Sequence, residues 1–446
     1  MDIILPDNLI PREMLPKVID FLDEENMILL TGARQTGKTS LLYLLIKHLW
    51  NIGFPQSQTV YFDLENIHDF TLLNDLKDFN IFIELLITKG VDPAKKAFVF
   101  IDEIQHLSNP SSFLKYLHDH YKPKLKFIVT GSSSLEIKKK FTDRLTGRVY
   151  NFLVKPLNFR EFLRFKNEHE LYALLEPFNF NCWLSETTLE NIINKIDLSY
   201  KRKLDDLTME YLIFGGYPAV TLKKKPQIRH KDLQEIYSLY VRRDIRDLGE
   251  ITDITGYNRL VSILALQIGN LVKEQELSLS SGLSRPTVKK YLFLLENTYV
   301  LKLVPPFFTN KRKEIVKTPK IFFEDIGIRN GVLNNFSALN QRTDRGAILE
   351  NFVFNQLSKQ EKQPENIRIW RTQNLNEVDF IWQKNINEPY PVEVRFKYDS
   401  KQPVPPGIKS FLRLYPSEIA FIVHLGDFHT RKFENTTCYA IPAWAV

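Results

Sequence analysis

Up to about Tyr150 the chain alternates short, fully apolar runs with longer stretches whose apolar residues recur at helical spacing. Met27-Ile28-Leu29-Leu30 and Ala97-Phe98-Val99-Phe100-Ile101 have the length and continuity of strands buried on both faces. The pattern predicts strands ending near Leu30, Phe62, Ile101, Thr130 and Leu153 with helices between them, a three-layer α/β arrangement around a parallel sheet. From Pro156 to about Leu222 the pattern becomes helical and charged, broken by the turn Gly215-Gly216-Tyr217-Pro218. From Lys231 to Pro306 helical periodicity continues into a helix-turn-helix pattern, and from Asn310 to Val446 strands and helices alternate again. No internal repeat and no long low-complexity linker is visible.

The first apolar run leads into Gly32-Ala33-Arg34-Gln35-Thr36-Gly37-Lys38-Thr39, and the helix-like stretch Ser40-Leu41-Leu42-Tyr43-Leu44-Leu45 follows. That is a Walker A phosphate loop in its strand-to-helix setting. Its glycines let successive backbone N–H groups turn toward phosphate oxygens, Lys38 brings a positive charge to the β- and γ-phosphates, and Thr39 offers magnesium a hydroxyl. The run at Ala97–Ile101 ends in Asp102-Glu103, which reads as Walker B. Asp102 is expected to hold magnesium, directly or through water, and Glu103 to polarise the water that attacks the γ-phosphate. His106, just beyond, reads as a packing or capping residue.

Length, charge and cysteine content narrow the class. A chain of 446 residues exceeds what one hydrophobic core organises, so two to four domains are expected. The N-terminus has no basic stretch leading into an apolar core, and no apolar run approaches the ~20 residues that cross a bilayer, so a cytoplasmic protein with no membrane partner is expected. Two cysteines, Cys182 and Cys438, lie far apart with no CxxC partner, against a zinc site or disulfide framework. A net charge of +7 permits an acidic polymer as partner without requiring one. Of three basic runs, Lys138-Lys139-Lys140, Lys223-Lys224-Lys225 and Lys311-Arg312-Lys313, only the last stands where a phosphate backbone contact is expected.

The two Walker motifs, together with Phe127-Ile128-Val129-Thr130-Gly131-Ser132-Ser133-Ser134, resemble the AAA+ ATPase core. The resemblance implies ATP and Mg2+ as cofactors. It also implies a sensor side chain between the Walker motifs, for which Ser132 and Ser133 are candidates beside the alternative of capping a helix at Leu135. In Phe141 to Val149 it implies an arginine finger acting on a neighbouring protomer, Arg148 first and Arg144 second, and hence a homo-oligomer. The alternative for Arg148 is a surface ion pair with Asp143. Pro156-Leu157-Asn158-Phe159-Arg160-Glu161-Phe162, Gly215–Pro218 and Arg243-Asp244-Ile245 extend the resemblance to prokaryotic AAA+ ATPases that carry a winged-helix and a nuclease-fold domain. On this reading 1–155 is the P-loop core, 156–230 a helical lid in which Arg242 or Arg243 just beyond offers an in-cis sensor, 231–309 a winged-helix region and 310–446 a nuclease-like α+β domain.

In the third segment, Leu277 to Leu292 reads as two helices with Gly282 at the turn, Ser284 capping the second and Pro286 in its first turn. Val288, Leu292 and Leu295 then face a core, leaving Arg285, Thr287, Lys289 and Lys290 for a DNA groove or for docking a protein. Tyr299 to Val304 reads as the first wing strand. In the last segment Glu350, Asp379 within Glu377-Val378-Asp379-Phe380, and Glu393 within Pro391 to Lys397 resemble the acids of the PD-(D/E)XK nuclease fold. The resemblance implies magnesium at Asp379 and Glu393 and an auxiliary acid at Glu350. Arg395 stands where that family has its lysine, and an always-protonated planar guanidinium does not replace a lysine tuned to activate water. Strand alternation puts Lys397 on the face of Glu393 and Arg395, from where it is a substitute; the favoured alternative is a retained fold whose acids and bases form an ion-pair network. The expected function is a magnesium-dependent ATPase coupled to DNA, with an ATP-regulated DNA endonuclease and a nucleotide-switched protein scaffold as alternatives.

Overall fold

The structure, a computed structural model, describes residues 3–76, 78–132, 145–178, 196–239, 251, 253–307, 318–360, 366–372, 376–385 and 388–446. The chain divides into two compact units, one of Met1–Lys155 with Asn297–Tyr299 and one of Pro156–Glu296 with Val300–Val446.

The first unit is built on five parallel strands, β1 (Met27–Thr31), β2 (Thr59–Asp63), β3 (Ala97–Asp102), β4 (Leu125–Gly131) and β5 (Val149–Leu153), in the order β2-β3-β4-β1-β5. Successive residues of a strand point to opposite faces, and here both faces are covered, which is why β1 and β3 read as apolar runs up to their last residues. Met27, Leu29, Val99 and Ile101 pack with Phe82, Leu86, Phe113 and Leu117 from the helices Asn80–Thr88 and Pro110–Tyr121. Ile28, Leu30, Phe98 and Phe100 pack on the other side with Leu41, Leu42, Leu45 and Leu49 of the helix Lys38–Asn51. The strand order has one decisive consequence. Because β4 lies between β1 and β3, the carboxyl end of β4 is wedged between the loop after β1 and the acids after β3.

The second unit opens with helices, among them Phe159–Phe165, closed by a capping box between Asn158 and Glu161, and Leu198–Phe214. The helices Ile254–Leu266, Glu274–Ser281 and Arg285–Asn297 follow, then the antiparallel hairpin of β6 (Leu301–Val304) and β7 (Lys320–Phe323). Gly282 ends the middle helix in the left-handed region at φ 75°, and the Ser284 hydroxyl accepts the Thr287 N–H to cap the next. Beyond the helix Arg345–Gln360 lies a six-stranded mixed sheet of β8 (Ile367–Arg371), β9 (Glu377–Gln383), β10 (Pro389–Arg395), β11 (Ile419–His424), β12 (His429–Phe433) and β13 (Thr436–Pro442), ordered β12-β13-β11-β10-β9-β8. Cys438 is a free, buried thiol in β13, while Cys182 lies outside the described residues. Among the described residues no helix is long and apolar enough to cross a membrane.

His424, at the end of β11, is fully buried, and neither ring nitrogen has a hydrogen-bond partner among the described residues. Burial, reinforced by His429 nearby, pushes its imidazole down to about 4, against the opposing pull of Asp427. The folded state therefore binds its proton less readily than the unfolded chain, so this group costs stability as pH falls from about 6.5 toward 4. His424→Phe is expected to flatten the decline of the urea midpoint over that pH range relative to wild type, with little difference between the two at pH 7.5.

Candidate functional site

At the carboxyl end of β1 the chain turns through Gly32 to Gly37 before the helix begins at Lys38. Gly32 has φ 148°, and a Cβ there would stand 2.2 Å from the Val154 carbonyl oxygen, so no other residue fits. Gly37 adopts φ 94° directly before the helix, and Gln35 is also left-handed at φ 60°. Thr36 is buried, its hydroxyl donating to Ala33 O at 2.9 Å, while Ser40 is exposed on the helix and Arg34 lies 4.0 Å from Glu65. Lys38 folds back to donate to Gly32 O at 3.2 Å and Ala33 O at 3.0 Å. Arg12 braces the loop from outside, donating to Thr36 O at 2.7 Å and Lys155 O at 2.9 Å; nothing in its local sequence announces that role.

The strand order brings Asp102 and Glu103 to this loop. The Thr39 hydroxyl donates to Asp102 Oδ2 at 2.6 Å, Tyr61 from β2 reaches the same oxygen at 3.3 Å, and Thr130 from β4 donates to Oδ1. Burial pushes the Asp102 carboxyl up, partly offset by the Thr130 and Thr39 hydroxyls. Glu103 sits in the left-handed region at φ 55°, ψ 50°, a conformation that costs a non-glycine residue about 1 kcal/mol or more. Its N–H donates to Thr130 Oγ1 at 2.9 Å, which fixes the kink. Its carboxylate lies 4.0 Å from Lys38 Nζ and accepts from Gln105, whose amide also donates to Ser132 Oγ at 3.0 Å. Burial raises the Glu103 carboxyl, but the Lys38 charge and the Gln105 and Ser132 hydrogen bonds outweigh it and hold it below the usual carboxylate range.

Thus the sequence-predicted residues Gly32, Ala33, Arg34, Gln35, Thr36, Gly37, Lys38, Thr39, Asp102 and Glu103 stand together, and Ser132 joins them through Gln105. Thr130, Gln105 and Tyr61 were not anticipated: the order of strands, which no local pattern encodes, delivers Thr130 and Tyr61, and the kink at Glu103 turns Gln105 back onto it. Ser133, Arg144, Arg242, Arg243, Lys138–Lys140 and Lys311–Lys313 lie outside the described residues.

Residues 24–163 match the family described as AAA domain. Over this segment the chain is similar to AAA domains. Residues 205–339 and 345–445 match two families described as domains of unknown function, DUF8612 and DUF4143. An uncharacterized protein of Haemophilus influenzae is 25% identical over 87% of this chain and 87% of its own length. An uncharacterized protein of Methanocaldococcus jannaschii is 28% identical over 78% of this chain and 70% of its own. Among solved structures, the ORC2 protein of Aeropyrum pernix, crystallised with ADPNP and ADP, covers 74% of this chain and 97% of its own at 11% identity with a TM-score of 0.29, too low to speak to function.

Arg148 precedes β5, beside the amino end of β1 and so at the sheet edge opposite the P-loop. It pairs in a fork with Asp119, Nε at 2.7 Å and the second nitrogen at 3.1 Å, and its guanidinium holds the Asp119 carboxyl down to about 2. Among the described residues its pairing partner is Asp119, Asp143 lying outside them, and the position excludes action on its own P-loop. In the second unit, Arg285 and Lys289 lie 3.7 Å and 3.5 Å from Glu274, and the Thr287 hydroxyl is engaged with Ser284 at 2.8 Å, while Lys290 is exposed on the same helix. Asn194-Lys195-Ile196-Asp197 spells the guanine-reading pattern Asn-Lys-x-Asp, but Asp197 spends its carboxylate capping the helix Leu198–Phe214, and Asn194 and Lys195 lie outside the described residues.

The acids of the last segment do converge, around a cation the sequence reading missed. Lys320, 4% exposed, lies with Nζ 2.9 Å from Glu350 Oε1 and 3.8 Å from Asp379 Oδ1, and it also bonds Glu377. Asp379 accepts the Val394 N–H at 2.7 Å, and Glu393 pairs with Arg395 at 2.6 Å while its other oxygen is buried with no hydrogen-bond partner among the described residues. Lys397 does not take part as a strand neighbour of Glu393: β10 ends at Arg395, so alternation stops before it, and its side chain is exposed. Lys320 thus stands beside Asp379, one of the two acids at which the nuclease resemblance implies magnesium, and no group of three His, Cys, Asp or Glu able to hold a metal occurs among the described residues.

Three cations, Lys320, Arg395 and Arg371 at 3.7 Å from Glu377, against four carboxylates leave the cluster short of positive charge, and burial, with mutual repulsion, pushes Glu350, Asp379 and Glu393 up while the acids push Lys320 up. Lys320→Met is expected to destabilise the protein by about 3 kcal/mol at pH 8 and by less at pH 5, where protons replace the lost cation. Urea titrations at the two pH values check this; Lys320→Met with Glu350→Gln should recover part of the loss at pH 8.

Proposed function

We propose that the protein binds and hydrolyses ATP with magnesium, using residues 1–155 as the catalytic core. The observation that carries this reading is the hydrogen bond from Thr39, the last residue of the phosphate loop, to Asp102 at the end of β3, with Glu103 beside Lys38. An oxygen-only pair of a hydroxyl and a carboxylate suits magnesium, and Thr39 and Asp102 are the residues that would hold it. Bound there, the ion would neutralise charge on the β- and γ-phosphates. Lys38 exchanges its loop carbonyls for phosphate oxygens, the loop N–H groups cradle the phosphates, and Glu103 accepts the proton of the attacking water. Arg148 is assigned to a neighbouring protomer's nucleotide in a homo-oligomer, which requires its pair with Asp119 to open.

Residues 156–230 are then the lid and 231–309 a winged helix, a reading supported by three helices leading into an antiparallel hairpin. Arg285, Lys289 and Lys290 are its DNA-contacting candidates. A second reading, a nucleotide-switched module that docks a protein, is favoured by Glu274, which blunts that basic face, and by exposed Leu279 and Phe293 on the same two helices.

Steady-state hydrolysis of ATP and GTP is expected to show ATP turnover that is lost in EDTA and falls about 100-fold or more in Glu103→Gln. Equal rates for wild type and Glu103→Gln defeat the ATPase reading. Stimulation by DNA that fades steeply with salt supports the DNA partner, and its absence at low salt supports protein docking.

A further inference from the structure

Gln105 is 3% exposed, and both hydrogens of its amide are committed, one to Glu103 and one to Ser132 Oγ at 3.0 Å. The left-handed kink at Glu103 leads into the short helix Ile104–His106, and that reversal brings the side chains at 103 and 105 face to face. Ser132 stands just past the end of β4, so the amide spans from the acid after β3 to the neighbouring strand's terminus. Lys38, at 4.0 Å, and the Ser132 hydroxyl also stand by the Glu103 carboxylate. In the reaction the Lys38 ammonium has to leave for the phosphates, which leaves the Gln105 amide, braced by Ser132, to restrain Glu103 when water must be aligned.

We propose that Gln105 is a positioning residue of the nucleotide site, holding the Glu103 carboxylate in one orientation through its bridge to Ser132. The inference rests on the ATPase reading above. It gives Ser132 a role both beside the Glu103 carboxylate and through Gln105, and sets it apart from Thr130, which fixes the Glu103 backbone and touches the Asp102 carboxylate.

The test measures kcat and KM for ATP from pH 5 to 9 in wild type, Gln105→Ala, Gln105→Glu and Glu103→Gln, with the Kd of a fluorescent ATP analogue measured in parallel. The expected result for Gln105→Ala is a kcat lowered about 10- to 100-fold, KM and Kd within about threefold of wild type, and the acid limb of the kcat profile moved to higher pH. Gln105→Glu keeps the size but sets a second carboxyl beside Glu103, and is expected to move that limb further in the same direction. If Gln105→Ala no longer binds nucleotide, the profile of Gln105→Glu decides by the same criterion. Wild-type kcat and an unmoved acid limb in the glutamine variants, with Glu103→Gln inactive, overturn the inference and leave the ATPase reading intact. A kcat loss matched by an equal rise in KM and Kd in both glutamine variants also overturns it, because that is a packing effect on nucleotide binding. Wild type no faster than Glu103→Gln overturns both.

Discussion

A single buried carboxylate organises the first unit. Asp102 collects a hydroxyl from the helix after the phosphate loop, one from β2 and one from β4, so three elements are pinned to the end of β3. A carboxylate in that environment is costly unless its oxygens are occupied, and the hydroxyls supply donors without adding charge. Hydroxyls are also exchangeable partners: each can turn from donor to acceptor when a cation arrives. The same carboxylate thereby serves as a fold constraint and as the acidic half of a cation site, and the position of Glu103, one residue on, is inherited from it.

Glu103 shows how such a site is prepared. Its left-handed backbone is a local strain held by the Thr130 hydroxyl, and its carboxylate lies between the Lys38 charge and the Gln105 amide. Strain of this kind persists where surrounding contacts over-determine it. Here they do, since β4 is hydrogen-bonded on both sides and offers Thr130 from a fully buried strand.

The second unit solves a related problem differently. Four acids gathered on and beside β9 and β10 need cations, and the chain supplies Lys320 from β7, Arg371 from β8 and Arg395 from β10. Lys320 lies in the segment that matches one family and Glu350, Glu377, Asp379 and Glu393 lie in the segment that matches the next. The ammonium therefore ties two consecutive segments of this unit together through charge, a use of a buried cluster for specificity of packing. Motif reading looked for a lysine two residues after the acid because that spacing is local; the lysine that matters comes from 73 positions earlier, as Lys320 against Glu393.

What the sequence determined was everything set by neighbours along the chain: the five strands of the first unit, the phosphate loop with its required glycines, the acid pair ending β3, the Gly282 turn and the Ser284 cap. Side-chain period and backbone stereochemistry act over a few residues, so a string of letters carries them in full. What only the tertiary structure decided was which distant side chains meet: Thr130, Gln105 and Tyr61 around the acids, Arg12 behind the loop, Asp119 on Arg148, and Lys320 among four carboxylates. Strand order and the end of β10 at Arg395 govern those meetings. Both are properties of the assembled sheet, in which hydrogen bonding between non-consecutive strands overrides spacing along the chain.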